Sequence, residues 1–195
     1  MRIAIYAGSF NPIHNGHLAV AEAALSEGFE EVWLLVSPQN PHKNEQELWP
    51  FDLRMELVNR TIQSNSKLKS SDCETKMSLP SYTINTLQYL KNTYPQHQFQ
   101  LLIGGDNLLK FRLWKDYNQI IDLFGLIVYP RSSGMNAPFD LHPNIRYIKA
   151  PLLEISSSEI RARLSENRSI HGLVPDEVEK YLCQKSEDDR SKSVF

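Results

Sequence analysis

Apolar and polar positions follow two different periods near the start of the chain. Residues 2–7 form a short, mostly apolar run that predicts a buried strand, and Gly28 marks the end of the helix that follows it. The apolar positions of that helix recur at helical spacing, at Leu18, Ala21, Ala24 and Leu25. A polar loop rich in Gly, Asn and Pro connects the two elements, so the chain opens with a strand-loop-helix unit.

The same alternation continues along the chain. Further strands are predicted at residues 31–37, 67–74 (a weaker pattern), 99–104, 126–129 and 145–150. Further helices are predicted at 50–65, 82–94, in the region up to Leu123, and from 156 to about 167. This order favours an α/β fold with a Rossmann-like, doubly wound parallel sheet. We expect one domain over residues 1–183, with a small helical part from about 156, and a disordered tail over 186–195.

Such a sheet binds ligands at the carboxyl ends of its strands, where the strand order changes direction. The loops that follow residues 2–7 and 99–104 both lie at strand ends, so we expect them to face one crevice.

Composition limits the partners and the compartment. The 195 residues carry 21 basic and 23 acidic side chains, a net charge of −2, which gives no global positive field for nucleic acid or an acidic membrane. Cys73 and Cys183 lack the spacing of metal ligands, and the N-terminus lacks a signal-peptide pattern. No apolar run approaches the roughly 20 residues that span a bilayer. We expect a soluble cytoplasmic protein with small-molecule substrates and reduced thiols.

The richest chemistry lies in the first loop, GSFNPIHNGHL, residues 8–18. His17 falls in the first turn of the helix, where backbone N–H groups and the helix dipole favour an anion. His14 approaches from the loop side, and an imidazole N–H can donate to a phosphate oxygen. The spacing therefore predicts a phosphate site, although a histidine at a helix start can also be a cap or a surface residue.

A second candidate is the segment ISSSEIR, residues 155–161. Ser156 and Glu159 have the spacing of a capping box, which alone predicts a well-started helix. The same helix start offers hydroxyl and N–H groups, and Arg161 adds a planar fork that suits phosphate.

These two segments, with PHK (41–43), PSYT (80–83), IGGDNL (103–108) and LWK (113–115), occur in an order that resembles the HxGH nucleotidyltransferases. The sequence of the first loop most resembles that of bacterial nicotinate-mononucleotide adenylyltransferases. The resemblance implies transfer of an adenylyl group from ATP to nicotinate mononucleotide in NAD biosynthesis. It also implies Mg²⁺ that accompanies ATP, without a dedicated protein metal site.

The resemblance further implies roles for individual residues. Three of them, His14, His17 and Arg161, are expected to be catalytic. The expected ATP site comprises Gly8, Ser9, Phe10, His14, His17, Lys43, Asp106, Ser157, Ser158 and Arg161. Lys43 can also be a solvated loop lysine. Asp106 can contact a ribose hydroxyl or orient the metal, or it can simply cap the helix that follows it.

The acceptor site is expected at a second helix start. Ser81, Tyr82 and Thr83 precede a predicted helix whose N–H groups can receive the carboxylate of nicotinate, a group that nicotinamide lacks. Trp114 is expected to stack on the pyridine ring, although an isolated Trp is often a core residue. Arg131 is expected to hold the acceptor phosphate, in a segment that departs from the family wording.

Other classes fit part of the pattern. Pantetheine-phosphate adenylyltransferases share the HxGH and ISS segments, and an adenylyltransferase that prefers nicotinamide mononucleotide is a second alternative. Lys76-Met77-Ser78 superficially resembles a signature of class I aminoacyl-tRNA synthetases, but the chain has no room for a tRNA-binding domain. A nucleotide sensor without catalysis would not need His14, His17 and Arg161. A homo-oligomer is compatible with the sequence.

Overall fold

The computed structural model describes residues 1–38, 48–77, 81–129, 142–149, 151 and 153–192. The strands are β1 Arg2–Gly8, β2 Glu31–Val36, β3 Leu68–Ser71, β4 Gln98–Gly104, β5 Leu126–Tyr129 and β6 Ile145–Tyr147. The helices are α1 Asn15–Ser26, α2 Phe51–Ile62, α3 Thr83–Thr93, α4 Gly105–Leu109, α5 Tyr117–Leu123, α6 Ser157–Ser165 and α7 Asp176–Lys192. Short 3₁₀ helices cover Cys73–Lys76 and Phe111–Leu113.

Within these described residues the strands form a single sheet in the order β3-β2-β1-β4-β5-β6. Every neighbouring pair is parallel. The chain leaves β1 towards β2 on one side and later returns to β4 on the other side, so the strand order changes direction between β1 and β4. The α/β, Rossmann-like fold predicted from the alternation is confirmed, and the loops after β1 and β4 lie next to each other at the switch point.

Apolar side chains cover both faces of the sheet. One core includes the buried faces of α1, α2, α6 and α7, and the other includes those of α3, α4 and α5. The central strands are almost continuously apolar because both of their faces are buried, as in β5, where all four residues are buried. Both carboxyl ends at the switch point are therefore held on a packed scaffold.

Several boundaries differ from those predicted. The strand expected over 67–74 ends at Ser71, because the Thr75 N–H and hydroxyl both donate to the Asp72 carbonyl and close a tight 3₁₀ turn. The helical region up to Leu123 consists of α4, a 3₁₀ turn and α5, and β6 ends at Tyr147. The helix α7, Asp176–Lys192, is not among the helices predicted from the sequence pattern.

No helix in the described part of the chain is both long enough and apolar enough to cross a membrane. Of the two cysteines, Cys73 is buried and Cys183 is exposed.

Candidate active site

The loop after β1 delivers two histidines to the start of α1. His14 is extended (φ −149°, ψ 170°) and forms the N-cap, and His17 lies in the first turn, as the sequence predicts. The expectation that the first N–H groups of this helix face an anion is wrong at Asn15. Its N–H donates to the Leu173 carbonyl at 2.9 Å, because the segment that leads into α7 covers this position.

The two imidazoles form a stacked pair. Their ring centroids lie 3.7 Å apart at an interplanar angle of 29°. His14, only 3% exposed, is the inner ring, and its backbone N–H donates to Nδ1 of the half-buried His17 at 3.3 Å. Because Nδ1 of His17 accepts this bond, a neutral ring carries its proton on Nε2. His17 therefore presents an N–H donor from the nitrogen on the far side of the ring.

Gly16 leaves room for the inner ring. A Cβ at this position would lie 3.0 Å from both Cε1 and Nδ1 of His14, tighter than ordinary van der Waals contact. The glycine between the two histidines therefore suits the close approach of the ring to the backbone, and a larger residue would require the His14 ring to shift.

The rings of Phe10 and Tyr6 pack against the His17 ring. Phe10, which has a positive φ of 42° and is buried, meets the His17 ring edge-on at 5.1 Å between centroids. Tyr6 contacts both rings, and its hydroxyl lies 3.2 Å from that of Tyr129 on β5. The ring of Phe10, predicted as part of the ATP site, thus lies in the hydrophobic core.

The start of α6 joins this loop from far along the chain. Arg161 Nη1 donates to the Asn11 carbonyl at 2.9 Å, and the Ser157 hydroxyl donates to the Pro12 carbonyl at 2.9 Å. Arg161 Nη2 also lies 3.4 Å from the Ser158 hydroxyl. The capping contact predicted for this helix is present, since the Glu159 N–H donates to the Ser156 hydroxyl at 3.1 Å. Two segments about 150 residues apart therefore meet at the loop that leads into the histidine pair.

The end of β4 borders the same region. A side chain at Gly104 would collide with the Asp106 carboxylate and would lie 3.1 Å from the Tyr129 hydroxyl. Asp106 itself is exposed at the start of α4. Because Tyr129 also contacts Tyr6, which packs against His17, a chain of contacts connects the end of β4 to the histidine pair.

The acceptor residues predicted from the sequence form a separate group. Tyr82 is the N-cap of α3, preceded by the buried Ser81 and followed by Thr83. Trp114 is half-buried and packs against Phe111 at 5.1 Å between centroids. The next residue, Lys115, places Nζ 4.8 Å from the centre of the Tyr82 ring. The structure thus brings the two acceptor segments together, while Lys43 and Arg131 lie outside the described residues.

Among the described side chains, no group of three or more His, Cys, Asp and Glu is arranged to hold a metal ion. Mg²⁺ usually keeps several waters and binds through one or two carboxylates together with substrate phosphates. Asp106, exposed at the start of α4, is a carboxylate of the type that such a metal uses.

Comparison with known proteins decides the family. The cytidylyltransferase-like family model matches residues 5–163. A probable nicotinate-nucleotide adenylyltransferase of Cytophaga hutchinsonii is 44% identical over 186 residues, which cover 95% of this chain and 97% of that protein. A probable nicotinate-nucleotide adenylyltransferase of Bacteroides fragilis is 41% identical over 184 residues, which cover 94% of this chain and 92% of that protein. The chain belongs to the cytidylyltransferase-like family, among its nicotinate-nucleotide adenylyltransferases.

A solved structure supports the fold assignment for this family member. The Plasmodium falciparum nicotinic acid mononucleotide adenylyltransferase, complexed with NaAD, superposes with a TM-score of 0.77. The identity is 23%, over 94% of this chain and 95% of that one.

One residue that supports the site, Arg54, was not predicted from the sequence. Arg54 on α2 is only 1% exposed, and burial lowers the pKa of its guanidinium. It donates to the carbonyls of Ser9 (2.7 Å), Ser37 (2.8 Å), Pro38 (3.1 Å) and Trp49 (2.9 Å). A signal was present, because Arg54 shares one helix face with the buried Leu57 and Val58. Arg54 therefore ties the loop after β1 to the loop after β2.

Proposed function

We propose that the protein transfers the adenylyl group of ATP to nicotinate mononucleotide. The products are nicotinate adenine dinucleotide and pyrophosphate, on a route to NAD. The contact of Arg161 with the loop that carries the histidine pair is the observation that supports the proposal, because it brings donors from two distant segments to the end of β1. The family of the chain supports the choice of substrates.

The reaction depends more on alignment of the two substrates than on activation of the attacking phosphate oxygen. An oxygen of the acceptor phosphate attacks the α-phosphorus of ATP, a new P–O bond forms, and the bond from the α-phosphorus to the bridging oxygen breaks as pyrophosphate leaves with the electron pair. A phosphate monoester with a second pKa of about 6 is largely dianionic at neutral pH, so no general base is needed. Mg²⁺ bound to the polyphosphate of the entering ATP neutralises part of its charge.

The residues around the loop supply donors for the charge that develops. His17 would donate from Nε2 to the α-phosphate, in the tautomer that the bond from the His14 N–H selects. His14 stacks on that ring and holds its orientation. Arg161 and the Ser158 hydroxyl would bind the departing pyrophosphate. Lys43 would add a further clamp on the phosphates, and Asp106 would contact the nucleotide, either at a ribose hydroxyl or through the metal.

The acceptor would bind at the start of α3. Its carboxylate would meet the N–H groups of the turn at Ser81, Tyr82 and Thr83, where the helix dipole favours a negative charge. Trp114 would stack on the pyridine ring, and Arg131 would bind the acceptor phosphate. This arrangement predicts a preference for the acid over the amide, because nicotinamide mononucleotide lacks the carboxylate.

The proposal includes a cytoplasmic location, in which the thiols of Cys73 and Cys183 would stay reduced, and small-molecule substrates as the only partners that catalysis needs. Assembly into a homo-oligomer stays a prediction that sedimentation of the purified protein would check.

An acceptor panel tests the proposal. Purified protein is incubated with Mg-ATP and, separately, with nicotinate mononucleotide, nicotinamide mononucleotide, phosphopantetheine or no acceptor, and pyrophosphate release is measured. We expect rapid release with nicotinate mononucleotide and slower release with its amide. Release only with phosphopantetheine, equal use of acid and amide, or no release with any acceptor would each contradict the proposal.

A further inference from the structure

The 3₁₀ helix Cys73–Lys76 carries a buried carboxylate that the proposed mechanism does not use. Glu74 is only 5% exposed. Its Oε2 accepts a hydrogen bond from the Ser81 hydroxyl at 3.0 Å, and its Oε1 accepts one from the Thr86 hydroxyl at 3.0 Å. An ionised carboxylate is costly to bury unless each oxygen is hydrogen-bonded, and here each oxygen has a hydroxyl donor.

The two donors lie on either side of the N-cap of α3. Ser81 immediately precedes Tyr82, and Thr86 lies in the first turn of the helix. The Tyr82 carbonyl also accepts from the N–H groups of Asn85 and Thr86, at 2.9 and 3.2 Å. Glu74 therefore fixes both ends of the short turn that carries Tyr82 and Thr83.

The same turn connects to the other acceptor segment. The Tyr82 ring lies beneath Nζ of Lys115, the residue after Trp114. A displacement of this turn would therefore change the relation between the α3 start and the Trp114 segment. The histidine pair and Arg161 make their contacts with a different loop and are held independently of Glu74.

We propose that Glu74 is a positioning residue for the acceptor half of the site. Its carboxylate holds the turn from Ser81 to Thr86 so that the N–H groups at the start of α3 receive the carboxylate of nicotinate mononucleotide. This inference rests on the proposed function, since it assumes that acceptor. It assigns to Glu74 an effect on acceptor binding and none on ATP binding.

Steady-state kinetics of Glu74→Ala and Glu74→Gln test the inference. For Glu74→Ala we expect the KM for nicotinate mononucleotide to rise about tenfold, the change expected from loss of a charge-assisted contact. The KM for ATP and kcat at saturating acceptor should stay within about twofold. Glu74→Gln should give an intermediate rise, because its amide has one acceptor oxygen for two hydroxyl donors.

A matched control lies at the N-cap of the 3₁₀ helix that carries Glu74. Asp72 is an exposed carboxylate whose contact with Lys76 is 3.6 Å long, so Asp72→Ala should leave both KM values unchanged. Thr86→Val removes one donor while it keeps the shape of the side chain and the carboxylate. It should raise the acceptor KM in the same direction by about two- to threefold, which keeps the test informative if Glu74→Ala does not fold.

The outcomes separate the inference from the proposed function. If wild-type protein does not use nicotinate mononucleotide, the proposed function fails. If it does, and the Glu74 and Thr86 variants keep the wild-type acceptor KM or raise both KM values equally, the positioning role of Glu74 alone is wrong.

Discussion

The two regions of the proposed site, a phosphate half around His17 and an acceptor half at the start of α3, are built in different ways. Around His17, stacked rings, a buried guanidinium and hydrogen bonds from a helix about 150 residues away hold each group in place. The acceptor turn instead leaves the Tyr82 side chain 39% exposed and depends on Glu74 beneath it. The groups assigned to the chemical step are thus held by the core of the fold, and the groups assigned to substrate choice lie on a turn near the surface.

The largest expected effect is on the phosphate half. His17→Ala removes the donor assigned to the α-phosphate, and we expect kcat to fall by about 10²- to 10³-fold, as for loss of one donor to a developing charge. The melting temperature should change little because the ring is only half-buried. Pyrophosphate release measures kcat, and thermal unfolding followed by circular dichroism measures the melting temperature.

His171→Ala is the matched control for that variant. Its imidazole is 81% exposed and contacts only Glu179 among the ion pairs of the described residues, so kcat should not change. If His17→Ala unfolds, or keeps the wild-type kcat, then His17 has a structural role and the assignment to catalysis is wrong.

Replacement of Arg54 tests whether the rigidity of the phosphate half matters. Arg54→Met leaves four buried or half-buried carbonyls without their guanidinium donor, and we expect the free energy of unfolding to fall by about 3 kcal/mol. Urea denaturation measures this change, and kcat should fall as the loop after β1 loosens.

Arg60→Met on the same helix provides the comparison. Its partly exposed guanidinium pairs with Glu56 and lies 4.4 Å from the centre of the Tyr181 ring, so the loss should be about 1 kcal/mol. Equal destabilisation by the two substitutions would show that Arg54 is not a special support of the phosphate loop.

The sequence predicted the secondary structure around the histidines well because its pattern is local. The strand, the loop and the helix start are contiguous, and the serine cap of α6 follows from residues three apart. Arg54 and Glu74 were missed because their partners are distant main-chain or hydroxyl groups. An isolated Arg or Glu in a sequence looks like a surface residue until the fold buries it. The weak strand over 67–74 was drawn too long because the turn at Asp72 depends on i to i+3 bonds that leave no periodic pattern.

A smaller effect is expected at the acceptor half. Trp114→Ala should raise the KM for nicotinate mononucleotide about tenfold, since aromatic stacking on a base contributes roughly 1–3 kcal/mol. Trp114→Phe should retain part of the stacking and give a smaller rise. A KM for nicotinate mononucleotide that matches the wild type in both variants would mean that Trp114 serves only to pack against Phe111.

The smallest effect concerns the thiol of Cys73, in the 3₁₀ helix that also carries Glu74. Burial raises the pKa of Cys73, so the folded state disfavours the thiolate. Its contribution to stability is complete below the unfolded pKa of about 8.5 and is lost as pH rises through the higher folded value. The free energy of unfolding should therefore decline above about pH 8.5, and Cys73→Ala should decline less steeply. Cys183→Ala, at an exposed position, should follow the wild-type profile.

The central claim is that the histidine pair and Arg161 bind one triphosphate. A crystal structure of the protein with a non-hydrolysable ATP analogue and Mg²⁺ tests it most directly. The account predicts the α-phosphate within hydrogen-bond distance of Nε2 of His17, and the β- and γ-phosphates at Arg161 and the start of α6. A triphosphate bound elsewhere, or one that contacts only one of these two groups, would contradict it.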